Sequence, residues 1–456
     1  MPERIFCTII TKNYLSYART LAETLKEHHS ESKLYVLIVD RIDNYFQPEL
    51  EPFEVIQLEQ LPDQKTIEQM CFYYTPLELC CALRGLLHEY IIEHTTAESW
   101  VFLDCDIMVC HSLETLFEAL SETSILLTPH CSVPLDVKDV EHELSILMHG
   151  LSNAGFLGLR RTEQTREFLN WWKDRLTYYS FLDSAIGDPR GLSLDQRWLN
   201  LVLLYFQDFK FVKHPGANIG HWNFYERKFE RDSAGEIVVN QHPVLFLHFS
   251  GWDINHPEFV SKHSPLYREK DESPWTELAQ LYREKLLKNG YEETRRFPYT
   301  FATFSDRTSI TQTMRRGYYD ELKQGTAVTG SPFEHPEYFQ SKKYAINSTQ
   351  FLQEEVQTAY QHLIQLQQDY HQLSLAFEQT QTTLQQTQAT LQQTQTTLQD
   401  TQTVLLETQQ NAVSEQTRLK QTIEEMEKSI FWKMRSAWWK IKQRFGQADV
   451  NVLKKE

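Results

Sequence analysis

The sequence lacks any uncharged apolar run of about 18 residues, the length that a membrane-spanning helix needs. Its seven cysteines are an odd number, lie in the first third of the chain and include no CxxC pair. This pattern is typical of a reduced intracellular protein and disfavours a disulfide framework or a zinc ribbon. The first residues also lack a small-residue cleavage site. We therefore expect a cytoplasmic protein without a signal peptide or a transmembrane helix.

Positive charge is also scarce. Lys and Arg number 45 against 62 Asp and Glu, which gives a formal net charge of −17. Proteins that coat nucleic acids are usually basic overall, so we expect no nucleic-acid partner. Apolar residues make up 41% of the 456 residues, which is enough to bury a large core.

The first 250 residues alternate between apolar runs and amphipathic stretches. The runs Ile5 to Ile10, Leu34 to Val39 and Trp100 to Leu103 read as buried strands, and Val244 to Phe249 reads as a later one. The stretch Leu77 to Ile92 reads as a helix. Strands that alternate with helices predict an α/β fold with a parallel sheet, of the Rossmann-like nucleotide-binding type.

Composition divides the chain into four segments. We expect a nucleotide-binding domain over 1–255 and a more polar helical extension packed on it over 256–345. A Gln- and Thr-rich segment follows over 350–427, here called the coil segment. A basic, Trp-rich segment over 428–456 ends the sequence and is called the tail segment.

The coil segment has a seven-residue apolar repeat. In its second half, leucine recurs every seven residues and the other seam position is threonine. This spacing predicts a coiled coil that joins copies of the chain into a homo-oligomer. A disordered Gln/Thr linker is the alternative. The seam residues are Leu352, Val356, Ala359, Leu363, Leu366, Tyr370, Leu373, Phe377, Leu384, Leu391, Leu398 and Leu405.

The strongest chemical signal is Asp104-Cys105-Asp106, the DCD motif, directly after the apolar strand that ends at Leu103. Residues i and i+2 of an extended chain face the same side, so the two carboxylates point to one place. Ligands of α/β proteins bind beyond the carboxyl ends of the strands. Two oxygen donors there suit Mg²⁺ or Mn²⁺ shared with a diphosphate, although two solvated turn carboxylates would have the same spacing.

Three later segments accompany the DCD motif. They are Ser152-Asn153-Ala154-Gly155-Phe156, Leu194-Asp195-Gln196-Arg197 and His248-Phe249-Ser250-Gly251. In order and spacing, the four elements resemble the metal-dependent nucleotide-sugar glycosyltransferases of the A-type fold, and glycosyltransferase family eight in particular. The resemblance covers about residues 4–255.

The resemblance implies a ligand set and a donor pocket. Asp104, Asp106 and His248 would hold Mn²⁺ or Mg²⁺, and Asp104 would also contact the nucleotide-diphosphate sugar. Four further residues would line the donor-sugar pocket or act in catalysis. These are Asn153, Gly155, Asp195 and Gln196.

The N-terminal half resembles the family in two further places. The stretch TIITKNY matches the first strand and loop that bracket the nucleotide base, and Arg84 matches a helix arginine that reaches the diphosphate. The family often has an acidic residue where Thr11 stands. The donor-binding candidates in this stretch are Thr8, Thr11, Asn13 and Tyr14.

Each candidate also has a structural interpretation. Asp195 could cap a helix N-terminus, and Arg84 could pair with Glu78 or Glu89. The aromatic stretch from Asn218 to Arg227 could belong to the core, or it could face the acceptor. Its acceptor-side candidates are Trp222, Asn223 and Glu226.

The tail segment carries six basic residues and no acidic residue between Lys428 and Gln447. Its aromatic and aliphatic residues recur at helical steps. A basic amphipathic helix with several tryptophans is typical of a peripheral membrane anchor, here on the inner face of the membrane. Packing against protein is the alternative.

The resemblance implies transfer of a hexose, from UDP or another nucleoside diphosphate, to a cell-surface glycan or lipid-linked acceptor. It also implies retention of the anomeric configuration. Arg84 would offset charge on the leaving group, and Asp195 is the candidate base if the reaction inverts instead. A non-catalytic scaffold that carries a degenerate transferase domain is the alternative, and a nucleotide-sugar hydrolase is a third.

Overall fold

The computed structural model describes residues 4–135, 140–182, 192–263, 273–342 and 348–450. Of residues 348–369 and 445–450 it describes the backbone only, so the first five seam positions, from Leu352 to Leu366, lie outside the described side chains. The chain divides into two compact units, 1–362 and 363–456.

Twelve strands are present in the described residues. They are β1 (Ile5–Ile10), β2 (Lys33–Ile38), β3 (Glu54–Gln57), β4 (Ser99–Leu103), β5 (Ile107–Val109), β6 (Ile125–Pro129), β7 (Ser152–Arg160), β8 (Phe209–Phe211), β9 (Phe229–Arg231), β10 (Ile237–Val239), β11 (His242–Pro243) and β12 (Phe246–His248).

Seven of these strands form the main sheet, in the order β3-β2-β1-β4-β7-β6-β8. The pairings of β1 with β2 and β4, of β2 with β3 and of β6 with β8 are parallel. The predicted α/β fold class is therefore confirmed. The sheet is mixed rather than fully parallel, because β7 runs antiparallel to both β4 and β6. The strands β5 and β12 pair separately, and β9 to β11 form a small third sheet.

Fourteen α-helices accompany the strands in the described residues. They are α1 (Leu15–His28), α2 (Gln64–Tyr73), α3 (Pro76–Ala82), α4 (Arg84–His94), α5 (Glu114–Glu122), α6 (Val140–His149), α7 (Glu163–Tyr179), α8 (Val202–Tyr205), α9 (Pro274–Lys288), α10 (Tyr291–Thr294), α11 (Gln312–Gln324), α12 (Pro336–Ser341), α13 (Ser348–Lys428) and α14 (Ile430–Val450).

The helix predicted over Leu77 to Ile92 is two helices. Thr75 and Glu78 form a capping box at the start of α3, and Pro76 occupies its first turn, where a missing N–H costs nothing. The helix ends at Ala82, and α4 starts two residues later with Arg84. As a result Arg84 lies in the first turn of a helix instead of in the middle of one.

The extension after residue 273 packs on the same unit as the main sheet. Lys285 of α9 forms ion pairs with Glu23 and Glu27 of α1. The buried guanidinium of Arg315 in α11 donates to the carbonyls of Cys71, Phe72, Tyr74 and Phe301. The bonds to Cys71, Phe72 and Tyr74 tie the extension to the end of α2.

The described residues of the second unit belong almost entirely to the long helix α13 and to α14. Many threonine hydroxyls of α13 donate to the carbonyl four residues earlier, as those of Thr387, Thr394 and Thr401 do, which satisfies them within the helix. The seam residues whose side chains are described are 56–75% exposed, so they are available to a partner helix. Among the described residues, no helix has the length and apolarity required to cross the bilayer.

Candidate metal and nucleotide-sugar site

The DCD motif and His248 meet at one point. Asp104 and Asp106 follow β4, and β12 brings His248 opposite Ile107 in its pairing with β5. Nε2 of His248 lies 3.1 Å from Oδ1 of Asp106 and 3.7 Å from Oδ2 of Asp104. One ligand atom from each residue lies within 4.8 Å of the other two. Residues 144 positions apart in sequence therefore form one cluster.

Two carboxylate oxygens and one imidazole nitrogen make a donor set that suits a divalent metal ion. Carboxylates favour Mg²⁺ and Mn²⁺, and imidazole favours transition metals, so the mixed set is compatible with several divalent ions. Burial raises the pKa of Asp106, but the neighbouring His248 outweighs it and holds that pKa below the ordinary aspartate value. Burial lowers the pKa of His248, but Asp106 and Asp104 outweigh it and hold that pKa above its ordinary value.

Arg84 lies behind Asp104. Its Nη2 donates to Oδ1 of Asp104 at 2.5 Å, and its Nη1 contacts the Ala154 carbonyl at 2.5 Å and Oδ2 of Asp195 at 2.7 Å. The guanidinium carbon lies 4.3 Å from the ring centre of Phe102. Burial lowers the pKa of Arg84, but the two carboxylates outweigh it and raise the pKa above its ordinary value. Arg84 is thus a buried, permanently charged link between the DCD motif and Asp195.

The helix-cap interpretation of Asp195 does not hold. Asp195 precedes a 3₁₀ turn, Gln196–Leu201, and its side chain makes no capping bond there. The carboxylate is buried and pairs with Arg84 instead. Burial raises the pKa of Asp195, and Arg84 partly offsets this. The alternative partners of Arg84 are also excluded, because Glu78 pairs with Arg316 and Glu89 pairs with Lys173.

Asn153 and Gln196 are joined to each other. Oε1 of Gln196 accepts from the Ala154 N–H at 3.1 Å and from Nδ2 of Asn153 at 3.4 Å. Its Nε2 donates to the His149 carbonyl at 3.1 Å. Both ends of the Gln196 amide are therefore bonded to the start of β7 and the end of α6, and the side chain fixes the backbone around Asn153.

Gly155 makes room for His248. A Cβ atom on Gly155 would lie 2.2 Å from Cε1 of His248, which is far inside contact distance. The carbonyl of Gly155 accepts from the Asp104 N–H at 2.8 Å. The Asn-Ala-Gly stretch thus contacts two of the three metal-ligand candidates.

The four donor-binding candidates near the N-terminus differ in burial and in their hydrogen-bond partners. Thr8 is buried within β1, and its hydroxyl has no hydrogen-bond partner among the described residues. Thr11 donates to Oδ1 of Asn13 at 2.6 Å, in the loop after β1. Tyr14 is 43% exposed, and partial burial together with Cys105 and Asp106 raises the pKa of its phenol to about 12. Tyr14 is therefore neutral at physiological pH.

Lys12 and Asn218 lie beside the site candidates but were not predicted as site residues from the sequence. Nζ of Lys12 is buried and contacts Oγ1 of Thr300 at 2.8 Å and Oδ1 of Asp40 at 3.5 Å. Asn218 has a left-handed backbone with φ +50° and is fully buried, and its side chain contacts His248. Lys12 lies between the candidates Thr11 and Asn13 in the sequence, and this position is the one local feature that could have predicted it as a site residue.

The acceptor-side candidates are buried rather than open. Trp222 packs edge-to-face on the His248 ring with centroids 5.0 Å apart. The Asn223 amide donates to the Asn218 carbonyl at 3.0 Å. The Glu226 carboxylate pairs with Arg227 and accepts from the Ser132 N–H at 3.1 Å. Of the three residues, Trp222 alone contacts a metal-ligand candidate in these contacts, and the side chains of Asn223 and Glu226 are held by bonds to protein groups.

No family model matches the sequence. The uncharacterized protein YfnF of Bacillus subtilis (strain 168) is 23% identical over 255 residues, which are 55% of this chain and 82% of YfnF. Among solved structures, the glycosyltransferase GlyE of Streptococcus pneumoniae TIGR4 is 17% identical, with 66% of each chain covered and a TM-score of 0.35.

The galactosyltransferase LgtC, solved with donor and acceptor sugar analogs, is 14% identical. The match covers 62% of this chain and 95% of LgtC, with a TM-score of 0.38. Both of these solved structures are glycosyltransferases, the class that the sequence motifs resemble. Strand order and register define the fold of this chain. The side chains that determine the chemistry of the site are Asp104, Asp106, His248 and Arg84.

Proposed function

We propose that the protein transfers a hexose from a nucleotide-diphosphate sugar, with UDP as the expected nucleoside diphosphate, to a cell-surface glycan or lipid-linked acceptor. The observation that carries this proposal is the convergence of Asp104, Asp106 and His248 at the carboxyl end of β4, with Arg84 behind Asp104. This edge of an α/β sheet is where such folds bind nucleotides.

Asp104 uses its two oxygens differently, which supports a role in metal binding. Oδ1 accepts from Arg84, while Oδ2 faces Nε2 of His248. Arg84 therefore orients Asp104 and leaves one oxygen directed into the cluster. A bound Mn²⁺ would neutralise the negative charge that develops on the departing nucleoside diphosphate.

The burial of Asp195 bears on whether this carboxylate can act as a general base in the transfer reaction. Its carboxylate is 2% exposed and ion-paired, so it is poorly placed to take a proton from an incoming hydroxyl. This favours a retaining reaction in which the leaving phosphate accepts the acceptor proton. The pair of Arg84 and Asp195 then serves to hold Asp104 in place.

We also propose that the second unit joins copies of the chain to each other and to a membrane surface. The coil segment would join copies of the chain through its exposed leucine seam, since a lone helix with a narrow apolar stripe gains no packing energy. The tail segment would contact an anionic membrane surface. Trp438 and Trp439 are 60% and 59% exposed beside a run of basic residues, which is the composition of an interfacial helix.

A panel of nucleotide-diphosphate sugars with Mn²⁺ tests the activity. Release of nucleoside diphosphate that rises on addition of a glycan or glycolipid acceptor would support transfer. Release that is independent of acceptor would identify a hydrolase. No release and no rise in melting temperature with any donor and Mn²⁺ would favour a non-catalytic scaffold, since a ligand that binds the native state raises its stability.

A further inference from the structure

Asn218 lies at the centre of a buried chain of polar side chains behind the metal-ligand cluster. Its Nδ2 contacts Oγ1 of Thr128 at 2.6 Å and Oδ1 of Asn153 at 3.0 Å. Its Oδ1 lies 3.1 Å from Nδ1 of His248. The residue is fully buried, so water does not compete for these bonds. Each hydrogen bond can therefore be assigned a donor and an acceptor, starting from backbone N–H groups, which can only donate, and from carbonyl groups, which can only accept.

The backbone N–H of Gly155 fixes the first direction. It can only donate, and it lies 3.0 Å from Oδ1 of Asn153, so this atom of Asn153 must be the amide oxygen. An amide oxygen can only accept. The atom of Asn218 that faces it must therefore be the NH₂ group, which places the amide oxygen of Asn218 against His248.

A second, independent set of bonds gives Asn153 the same orientation. The Gly150 carbonyl can only accept, and it lies 2.6 Å from Nδ1 of His130, so that ring nitrogen carries a proton. In neutral His130 the other nitrogen, Nε2, is then an acceptor. Nδ2 of Asn153 lies 3.5 Å from it and 3.4 Å from Oε1 of Gln196, and it donates to both.

The consequence for His248 is a defined tautomer. Because the Asn218 oxygen can only accept, Nδ1 of His248 must carry a proton. In the neutral ring the lone pair then lies on Nε2, the nitrogen that faces Asp104 and Asp106. A metal-ligating histidine needs this arrangement, in which its second nitrogen donates to a fixed acceptor.

We propose that Asn218 is a positioning residue that sets the tautomer and the ring orientation of His248 for metal binding, and that Gly155 and Asn153 transmit this orientation from the backbone. This inference rests on the metal site of the proposed function. Asn218 touches neither substrate nor metal in this account and acts through His248 alone.

The test is calorimetric titration of Mn²⁺ into the full-length protein, with and without UDP, on three variants. Asn218→Gly removes the amide while permitting the left-handed backbone. Asn218→Asp keeps an oxygen acceptor for Nδ1 but loses the donor toward Asn153. Asn240→Gly is the matched control, because Asn240 is also left-handed with φ +48° and its side chain bonds the backbone of Lys228 and Glu226 instead.

We expect Asn218→Gly to weaken Mn²⁺ binding by about 10- to 100-fold, the usual effect of removing a partner of a ligating histidine. Asn218→Asp should lower the melting temperature yet keep Mn²⁺ affinity close to that of the unsubstituted protein, and Asn240→Gly should leave affinity unchanged. Equal affinity in Asn218→Gly and the unsubstituted protein would overturn the inference while the metal site stands. Absence of Mn²⁺ binding by the unsubstituted protein would overturn the metal site itself.

Discussion

Gly155 and His248 are in such close contact that a methyl group on Gly155 would lie 2.2 Å from Cε1 of the imidazole. Gly155 belongs to β7 of the main sheet, and His248 ends β12 of a separate two-stranded sheet. The missing side chain thus lets the two sheets bring the histidine against the DCD motif.

Gly155→Ala is expected to displace His248. Overpacking of this kind costs about 1–3 kcal/mol of stability, and it should also lower Mn²⁺ affinity because the ring must leave the cluster. The matched control is Gly158→Ala in the same strand, where the new Cβ would lie 3.0 Å from Cβ of Leu126 and remote from the cluster. Calorimetric Mn²⁺ titration and melting curves separate the two effects. Unchanged Mn²⁺ affinity in Gly155→Ala would show that the contact is not needed for the site.

Arg84→Met is expected to destabilise the fold by about 3–5 kcal/mol near neutral pH, because Asp195 would be left buried and charged without its partner. Burial already raises the pKa of Asp195, and loss of Arg84 would raise it further. A carboxyl group whose pKa is raised in the folded protein destabilises the fold once the pH rises above its unfolded pKa, because the folded state then holds a proton that the unfolded state releases. The difference in the free energy of unfolding between Arg84→Met and the unsubstituted protein should therefore become smaller as the pH is lowered from 7 to 5.

Arg316→Met is the matched control for this experiment, since Arg316 also pairs with a buried carboxylate, Glu78, which does not belong to the metal-ligand cluster. Both variants should lose stability in urea unfolding, but Arg84→Met alone should lose Mn²⁺ affinity. Equal Mn²⁺ affinity in the two variants would show that Arg84 does not position Asp104.

The coil seam is expected to hold copies of the chain together. Replacing Leu384, Leu391 and Leu398 by Ala removes three exposed seam side chains while keeping helix propensity high. Molar mass from light scattering should fall relative to the unsubstituted protein, and the segment Leu352 to Phe377 is expected to supply most of the remaining association. The control triple replaces the neighbouring Gln385, Gln392 and Gln399 by Ala and should leave the mass unchanged. A leucine triple that keeps its mass would exclude this part of the seam from the interface.

The tail segment is expected to bind anionic vesicles. Phe431, Trp438 and Ile441 are 83%, 60% and 53% exposed on α14, and their replacement by Ala should remove most of the binding seen in cosedimentation. Binding should also fall with added salt and with neutral lipid vesicles, because the basic side chains contribute about 1 kcal/mol each near an anionic surface. Equal binding by the triple variant would point to a protein partner for this helix.

Local sequence patterns predicted the parts of the site that depend on one strand end. The DCD motif was predicted because a buried strand ends at Leu103, and two carboxylates at i and i+2 share a side. The antiparallel direction of β7 was missed, because a strand buried on both faces has an apolar run that looks the same in either direction.

Contacts between distant residues could not be predicted in this way. Asn218 meets Asn153 across 65 residues and His248 across 30, and no local spacing marks those bonds. The partner of Arg84 was missed for the same reason, since Asp195 lies beyond several helices and strands while Glu78 and Glu89 are one or two turns away. Sequence proximity favoured the wrong partners.

The most direct test of the central claim is nucleoside diphosphate release from the nucleotide-sugar panel by Asp104→Asn and Asp106→Asn. Each substitution removes one negative charge from the cluster that would hold Mn²⁺. We expect turnover to fall by about 100-fold or more in both variants, and in the unsubstituted protein when EDTA is added, with little change in melting temperature. Full turnover by both variants in EDTA would contradict the metal-dependent account.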